Sequence, residues 1–237
     1  MKNPAGEEMI KIACILRGDA AEPVAAFRDR VLGPFATRIL GQEPRHLKIS
    51  TTAMDPPRFF PVPCSRERVA LVSIWSEGGP GRKADEWARL VAGFWEGPVS
   101  AYRVEESIPV SYERTWLPGE RTPGIGLLTL FRARPGISRD AFITMWHQGH
   151  TPLALKVHPL WNYVRNVVEE VLVPDSPVPA GIVEEHCRSE ANLLTSWRFF
   201  GGALAMVPNM IRIALDIRKW MDLRGIQNYL VHEYWIK

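Results

Sequence analysis

The chain repeats itself, and that constrains its fold more than any other feature. Lys11-Ile-Ala-Cys-Ile-Leu-Arg17 has a counterpart in Gly126-Leu-Leu-Thr-Leu-Phe-Arg132. Each is a short apolar run ending in arginine, followed by a turn and then a helical segment containing Ala-Phe, at Ala26-Phe27 and Ala141-Phe142. The ends of the halves also correspond, Tyr102-Arg-Val-Glu-Glu106 matching Tyr229-Leu-Val-His-Glu233 as Tyr-x-Val-x-Glu. Similarity in the same order at both ends marks two copies of one supersecondary unit, with loops of different length between.

Within each copy the hydrophobic pattern reads strand, helix, strand, strand, helix, strand. In the first, strands are expected near Met9–Arg17, His46–Thr52, Val69–Ser76 and Ala101–Tyr112, with helices near Glu22–Leu40 and Ala84–Trp95. Glu43-Pro44-Arg45 and Gly78-Gly79-Pro80-Gly81 read as turns. In the second, strands are expected near Ile125–Arg132, Tyr163–Leu172, Gly181–Cys187 and Asn228–Ile236. A helix starts after Pro135-Gly136 with Ser138 as N-cap. The region from Asn192 to Asp222 reads as two helices divided at Pro208, without a counterpart of equal length in the first copy.

This is the split β-α-β order of ferredoxin-like folds. One such unit buries one sheet face under its helices and leaves the other needing a cover, which a second sheet can supply. The expected fold is therefore α+β: two tandem ferredoxin-like repeats packed sheet to sheet as an α+β barrel. The expected boundaries are residues 1–116 for a degenerate N-terminal repeat, 117–124 for a proline- and glycine-rich linker, and 125–237 for the C-terminal repeat with its helical insertion.

Composition narrows the functional classes. A formal charge of +3 with scattered basic residues argues against nucleic acid as a partner. Three distant cysteines, Cys14, Cys64 and Cys187, form neither a metal spacing nor a disulfide framework. Met1 to Glu8 lacks the apolar core of a signal peptide, and no run is long enough to span a bilayer. A soluble cytoplasmic protein is expected, with no membrane partner. Nine tryptophans in 237 residues point to aromatic core and pocket walls.

The candidate chemistry gathers in the first helix of the second repeat. Phe142, Trp146 and His150 fall four apart and share a helix face. A histidine completing an aromatic face is shielded from water, as a general acid or base requires. The bland alternative is a histidine bonded to backbone where the helix ends before Pro152. The first repeat continues Arg-Asp-Arg-Val-Leu-Gly-Pro34 after Phe27 and has no Trp-x-x-x-His. On the strand Gly181–Cys187, Ile182, Glu184 and His186 share one face while Val183, Glu185 and Cys187 share the other. Glu184 with His186 could orient a substrate or relay a proton, or form a mutually bonded edge. Tyr163 and Arg165 share a strand face and could hold a phenol or carboxylate. His232 and Tyr234 share a face of the last strand. His147 and His150 lie three apart, but no Cys or carboxylate at a supporting spacing completes a metal set, and no phosphate loop or dinucleotide fingerprint is present.

Phe142-x-x-x-Trp146-x-x-x-His150-x-Pro152-Leu153-Ala154, preceded by an apolar strand and Arg134-Pro-Gly-Ile-Ser138, resembles the signature of the EthD family of the dimeric α+β barrel superfamily. Tyr163-Val-Arg-Asn166 and Gly181-Ile-Val-Glu184 extend the resemblance, which runs from about Gly124 to Glu185. It implies a pocket between sheet and helices, with His150 as the leading catalytic candidate. Relatives in that superfamily include cyclases, dehydratases, decarboxylases, cofactor-independent monooxygenases and haem-handling enzymes, so the family does not fix a reaction.

The expected function is a cofactor-independent lyase on a hydroxylated aromatic or polyketide-like small molecule. His150 would move the proton, assisted by His186 or Glu184. Phe142 and Trp146 would wall the slot, and Tyr163 or Arg165 would orient the polar end. No cofactor or metal is required. A cofactor-free monooxygenase of a phenol and a non-catalytic ligand-binding accessory protein of a degradation pathway are the alternatives, and a homodimer is compatible with all three.

Overall fold

Alternation along β1 (Met9–Gly18) sets the architecture. Lys11, Ala13 and Ile15 turn to one side, Ile12, Cys14 and Leu16 to the other, and both sides are buried. A strand covered on both faces needs a layer above and a layer below. The computed structural model, which describes residues 9–58, 60–77 and 83–237, supplies both. Residues 1–8 and the expected turn Gly78-Gly79-Pro80-Gly81 lie outside the described residues.

The remaining strands are β2 (His46–Thr52), β3 (Arg68–Glu77), β4 (Val99–Val110), β5 (Ile125–Ala133), β6 (Leu160–Val171), β7 (Gly181–Cys187) and β8 (Met221–Trp235). They close into an antiparallel barrel in the order β1-β3-β2-β8-β5-β7-β6-β4. Read from its edges, the first half runs β4-β1-β3-β2 and the second β8-β5-β7-β6, which is the same permutation. The halves join edge to edge through β2·β8 and β4·β6, so closure leaves no unpaired sheet edge. The expected sheet-to-sheet packing is accompanied by hydrogen bonds that join the halves at both seams.

The helices lie outside the barrel. In the first half, α1 is continuous through Val24–Arg30, a π-helical stretch Val31–Phe35, and Ala36–Leu40; α2 is Ala84–Phe94. Phe27, Val31, Phe35, Trp87 and Trp95 pack this layer solidly against the sheet. In the second half, α3 runs through Arg139–Thr144, a π-helical stretch Met145–His150, and Thr151–Val157, with Ser138 capping its start through its hydroxyl. Three further helices follow: α4 (Glu190–Leu194), α5 (Ser196–Phe199) and α6 (Met206–Ile217).

Two expectations need correction. The insertion breaks at Gly201 and Gly202, whose φ of 83° and 117° reverse the chain in a way side chains disfavour. Pro208 instead sits in the first turn of α6, where its missing N–H has no partner to lose. The last strand begins at Met221 rather than near Asn228, because Met221 and Asp222 pair with Ala133 and Arg132 beyond a register shift. The proline- and glycine-rich segment between the halves lies along β8: Thr122 N–H donates to the Glu233 carbonyl at 2.8 Å, and Arg121 bridges to Tyr234.

Inside the barrel, Leu71, Tyr102, Leu128, Tyr229 and Val231 form an apolar plug. Beside it runs a buried charge ladder. Lys11 Nζ meets Glu106 at 2.6 Å and Glu184 at 3.5 Å; Lys48 Nζ meets Glu184 at 2.8 Å and Glu233 at 3.2 Å. Glu184 comes from the second half and both lysines from the first. Removing one member strands its partners in a low-dielectric interior. Glu184→Ala is expected to lower the unfolding free energy by about 3–5 kcal/mol in urea titrations. Glu170→Ala, which breaks only an exposed pair with Arg103, should cost less than about 1 kcal/mol.

Candidate active site

Between the sheet of the second half and its helices lies a cavity of 340 Å³. Its floor follows from strand register. Tyr163 on β6, Glu185 on β7 and Leu127 on β5 are direct neighbours across the strands, and Val183 and Thr129 form the next row. Gly181, a row further, makes room for its walls. A Cβ there would stand 2.6 Å from the Trp146 indole and 2.7 Å from the Phe131 ring, both buried.

Helix α3 supplies one wall. Its π-helical turn, in which the Thr151 N–H reaches back to the Trp146 carbonyl, ends on His150, and both Trp146 and His150 line the cavity. Such a widened turn costs regular hydrogen bonding and re-aims side chains toward a site. Phe131, Trp146 and Trp220 line the cavity beside it and interlock with Phe142 behind them, a second layer, with Trp146 and Trp220 stacked at 6.0 Å and 11°. Phe142 belongs to this second layer and supports the wall from behind.

Helix α6 is the roof: Met210, Ile213, Ala214 and Ile217 face the cavity, yet no α6 residue is buried. The insertion thus covers the space, and it also delivers Asp216. His150 Nδ1–H donates to Asp216 Oδ2 at 2.9 Å, and the His150 ring lies 5.2 Å from the Trp220 ring. That hydrogen bond holds the Asp216 carboxyl below its ordinary range, so the carboxylate accepts only and fixes the proton on Nδ1. Nε2 has no hydrogen-bond partner among the described residues and is left for a bound molecule. At 8% exposure His150 is shielded from bulk water.

Other polar groups on the lining differ in state. Burial pushes the Glu185 carboxyl up to about 7, so it can hold a proton near neutrality. Burial also raises the Tyr163 phenol, keeping it a neutral hydroxyl. His158 donates from Nδ1 to the Phe199 carbonyl at 2.9 Å, stacks on the Phe199 ring at 4.1 Å, and is held down to about 4 by burial. It is a structural, neutral imidazole.

The structure does not bring every candidate together. Glu184 and His186 sit one residue either side of Glu185, and a strand turns successive side chains to opposite faces. They therefore point into the barrel, away from His150. Glu184 is tied to both lysines, and His186 donates from Nε2 to the Pro123 carbonyl at 2.9 Å. Arg165 is on the helix side, but its guanidinium is spent on Ser107 and Thr151, each at 3.0 Å. His232 lies by Arg121 and Glu190 near the surface. Among the described residues no three metal-ligating side chains converge. Asp216 and Glu185 escaped the sequence reading: Asp216 is 66 residues from His150 in the chain, and Glu185 differs from Glu184 only in which buried face it occupies.

No protein-family profile matches the chain, and no curated protein does. The EthD resemblance rests on the motif residues alone. Solved structures similar to the chain include a Fusobacterium nucleatum subsp. nucleatum ATCC 25586 protein named "Putative monooxygenase", with 6% identity, a TM-score of 0.48, and 97% of this chain and 92% of that one covered. A Lactobacillus acidophilus NCFM protein named "putative monooxygenase" gives 10% identity, a TM-score of 0.44, and 98% and 95% coverage. A protein named "Putative Chlorite dismutase" gives 12% identity, a TM-score of 0.43, and 96% and 95% coverage. Likenesses of this degree carry nothing about what this chain binds or does.

Two predictions follow from the packing and the charge. Gly181→Ala should cost about 1–3 kcal/mol, because Trp146 and Phe131 have no room to yield; urea unfolding measures it. A carboxyl with a raised folded pKa binds more protons folded than unfolded, so its burial costs stability as pH rises from the ordinary carboxylate range through 7. Glu185→Gln should therefore raise Tm at pH 8 by at least about 2 °C, with the gain vanishing near pH 4.

Proposed function

We propose that the chain is two tandem ferredoxin-like repeats of the dimeric α+β barrel type, and that its second repeat is a cofactor-independent lyase acting on a hydroxylated aromatic or polyketide-like molecule. The repeated strand permutation supports the first statement. The His150–Asp216 pair on the wall of an aromatic-lined cavity supports the second and carries the proposal.

The cavity has the size and the mostly apolar lining of small-molecule sites. A planar ring fits between the Trp146 side and the α6 roof. His150 Nε2 takes a proton from a phenolic hydroxyl or from a carbon flanked by carbonyls. The electron pair released passes into the substrate's own conjugated system, so no external sink is needed. The imidazolium, steadied by Asp216, then returns the proton to the departing hydroxyl, which leaves as water, or to the ring carbon bearing the carboxylate, from which carbon dioxide then departs as its bonding pair restores the ring. Glu185, poised near 7, is the second proton-holding group, and Tyr163 is placed to donate to a carbonyl.

The test is turnover of a panel of hydroxylated aromatic acids and β-polyketone analogues, followed by absorbance with an oxygen electrode in the cell. His150→Ala should lower kcat by at least about 10²-fold and Asp216→Asn by at least about tenfold. Glu185→Gln should remove an inflection near pH 7. Full activity in His150→Ala ends the proposal. Oxygen consumed in proportion to product replaces the lyase with the monooxygenase, and binding without turnover replaces both with an accessory protein.

A further inference from the structure

At one end of the barrel the inward-facing side chains stop short of filling the interior and leave a second cavity, of 510 Å³. It lies on the opposite side of the sheet from His150, and the proposed lyase makes no use of it. Its wall is aromatic. Trp75 and Trp235 stack at 5.6 Å and 18°, the Arg114 guanidinium lies 5.6 Å from the Trp235 ring, and Tyr112 completes the surface.

The charges around it do not balance. Glu106, the one carboxylate side chain of the lining, has both oxygens engaged, Oε1 by Lys11 at 2.6 Å and Oε2 by the Trp75 indole N–H at 3.1 Å. Lys48, at the floor, is held between Glu184 and Glu233. Arg45, Arg114 and Lys237 also line the cavity, and among the described residues no carboxylate side chain lies within ion-pair distance of any of them. Arg45 and Lys237 border a neighbouring depression with Glu43, Glu77 and Glu86, but form no ion pair with them. The three cations converge: after burial, they are what depresses His46 beside them. Asn162 completes the lining. It is 5% exposed, and its side-chain amide has no hydrogen-bond partner among the described residues.

We propose that this barrel mouth is a binding site for an aromatic carboxylate, its ring against Trp75 and Trp235 and its anionic group between Arg45 and Arg114, with Asn162 as a further hydrogen-bond donor. Guanidinium forks suit a carboxylate, and the indole pair, whose faces are occupied by one another and by Lys11 and Arg114, offers ring edges to an aromatic ring. A cavity of this size accommodates one or two fused rings.

Isothermal titration at low salt with 2-naphthoate, and with uncharged 2-naphthalenemethanol in parallel, tests the proposal. Naphthoate should bind at least about tenfold tighter than the alcohol, and this preference should shrink as salt is added. The double variant Arg45→Gln/Arg114→Gln changes two exposed side chains outside the core and should abolish the preference while leaving Tm within a few degrees. Asn162→Leu should weaken naphthoate with the alcohol little changed. Equal affinity for acid and alcohol, no naphthoate binding at millimolar concentration, or unchanged naphthoate binding in the double variant would each overturn it. The outcome is separate from the lyase assay, since a failed His150 mechanism leaves these affinities as they are.

Discussion

Glu184 is the point on which the two halves turn. It reaches from the second half across the barrel to Lys11 and Lys48 of the first, and each lysine holds one further carboxylate, Glu106 or Glu233. Apolar residues could fill this volume with equal or better stability. What the ladder adds is register. Displacing either half by one residue would bury its charges against leucine and valine and leave the partners unpaired. The Tyr-x-Val-x-Glu repeat thus has a physical reason: in both halves its tyrosine and valine join the plug and its glutamate anchors a lysine.

A fixed register on β7 decides what the other face can do. With Glu184 committed to the ladder, Glu185 must face the helices, where it meets Tyr163 across the strand and the cavity above. The first half shows what happens without a motif of this kind. Phe27, Val31, Phe35, Trp87 and Trp95 fill the equivalent layer between helices and sheet. Both halves widen their first helix into a π-helical stretch, Val31–Phe35 and Met145–His150, yet in the first it carries Pro34 and ends on a buried phenylalanine. One half became core and the other kept space.

How much of this is legible in the sequence depends on the range of the signal. The strands and the first helix of each half announce themselves through local pattern, and the order of elements implies the sheet permutation. His150 could be found because it ends an aromatic row on one helix. The separation of Glu184 and His186 from His150 is not legible, for the opposite reason. β7 is buried on both faces, so alternation separates the two sets without saying which belongs to the cavity. Asp216 carried no signal at all, since its meaning arises only where α6 folds back over α3. Pro208 misled because proline breaks a helix interior but is tolerated in its first turn.

The pairing of His150 with Asp216 joins the roof to the chemistry. Asp216 lies on a helix with no buried side chain, so α6 is held mainly by the half-buried apolar stripe it lays over the cavity, by this hydrogen bond and by the Asn209 amide donating to the Phe200 carbonyl at 2.9 Å. An element with so few buried contacts belongs to the low-stability end of local opening. A ligand filling the cavity would add contacts to Met210, Ile213 and Ile217 on the helix that carries Asp216, and so steady the His150–Asp216 pair.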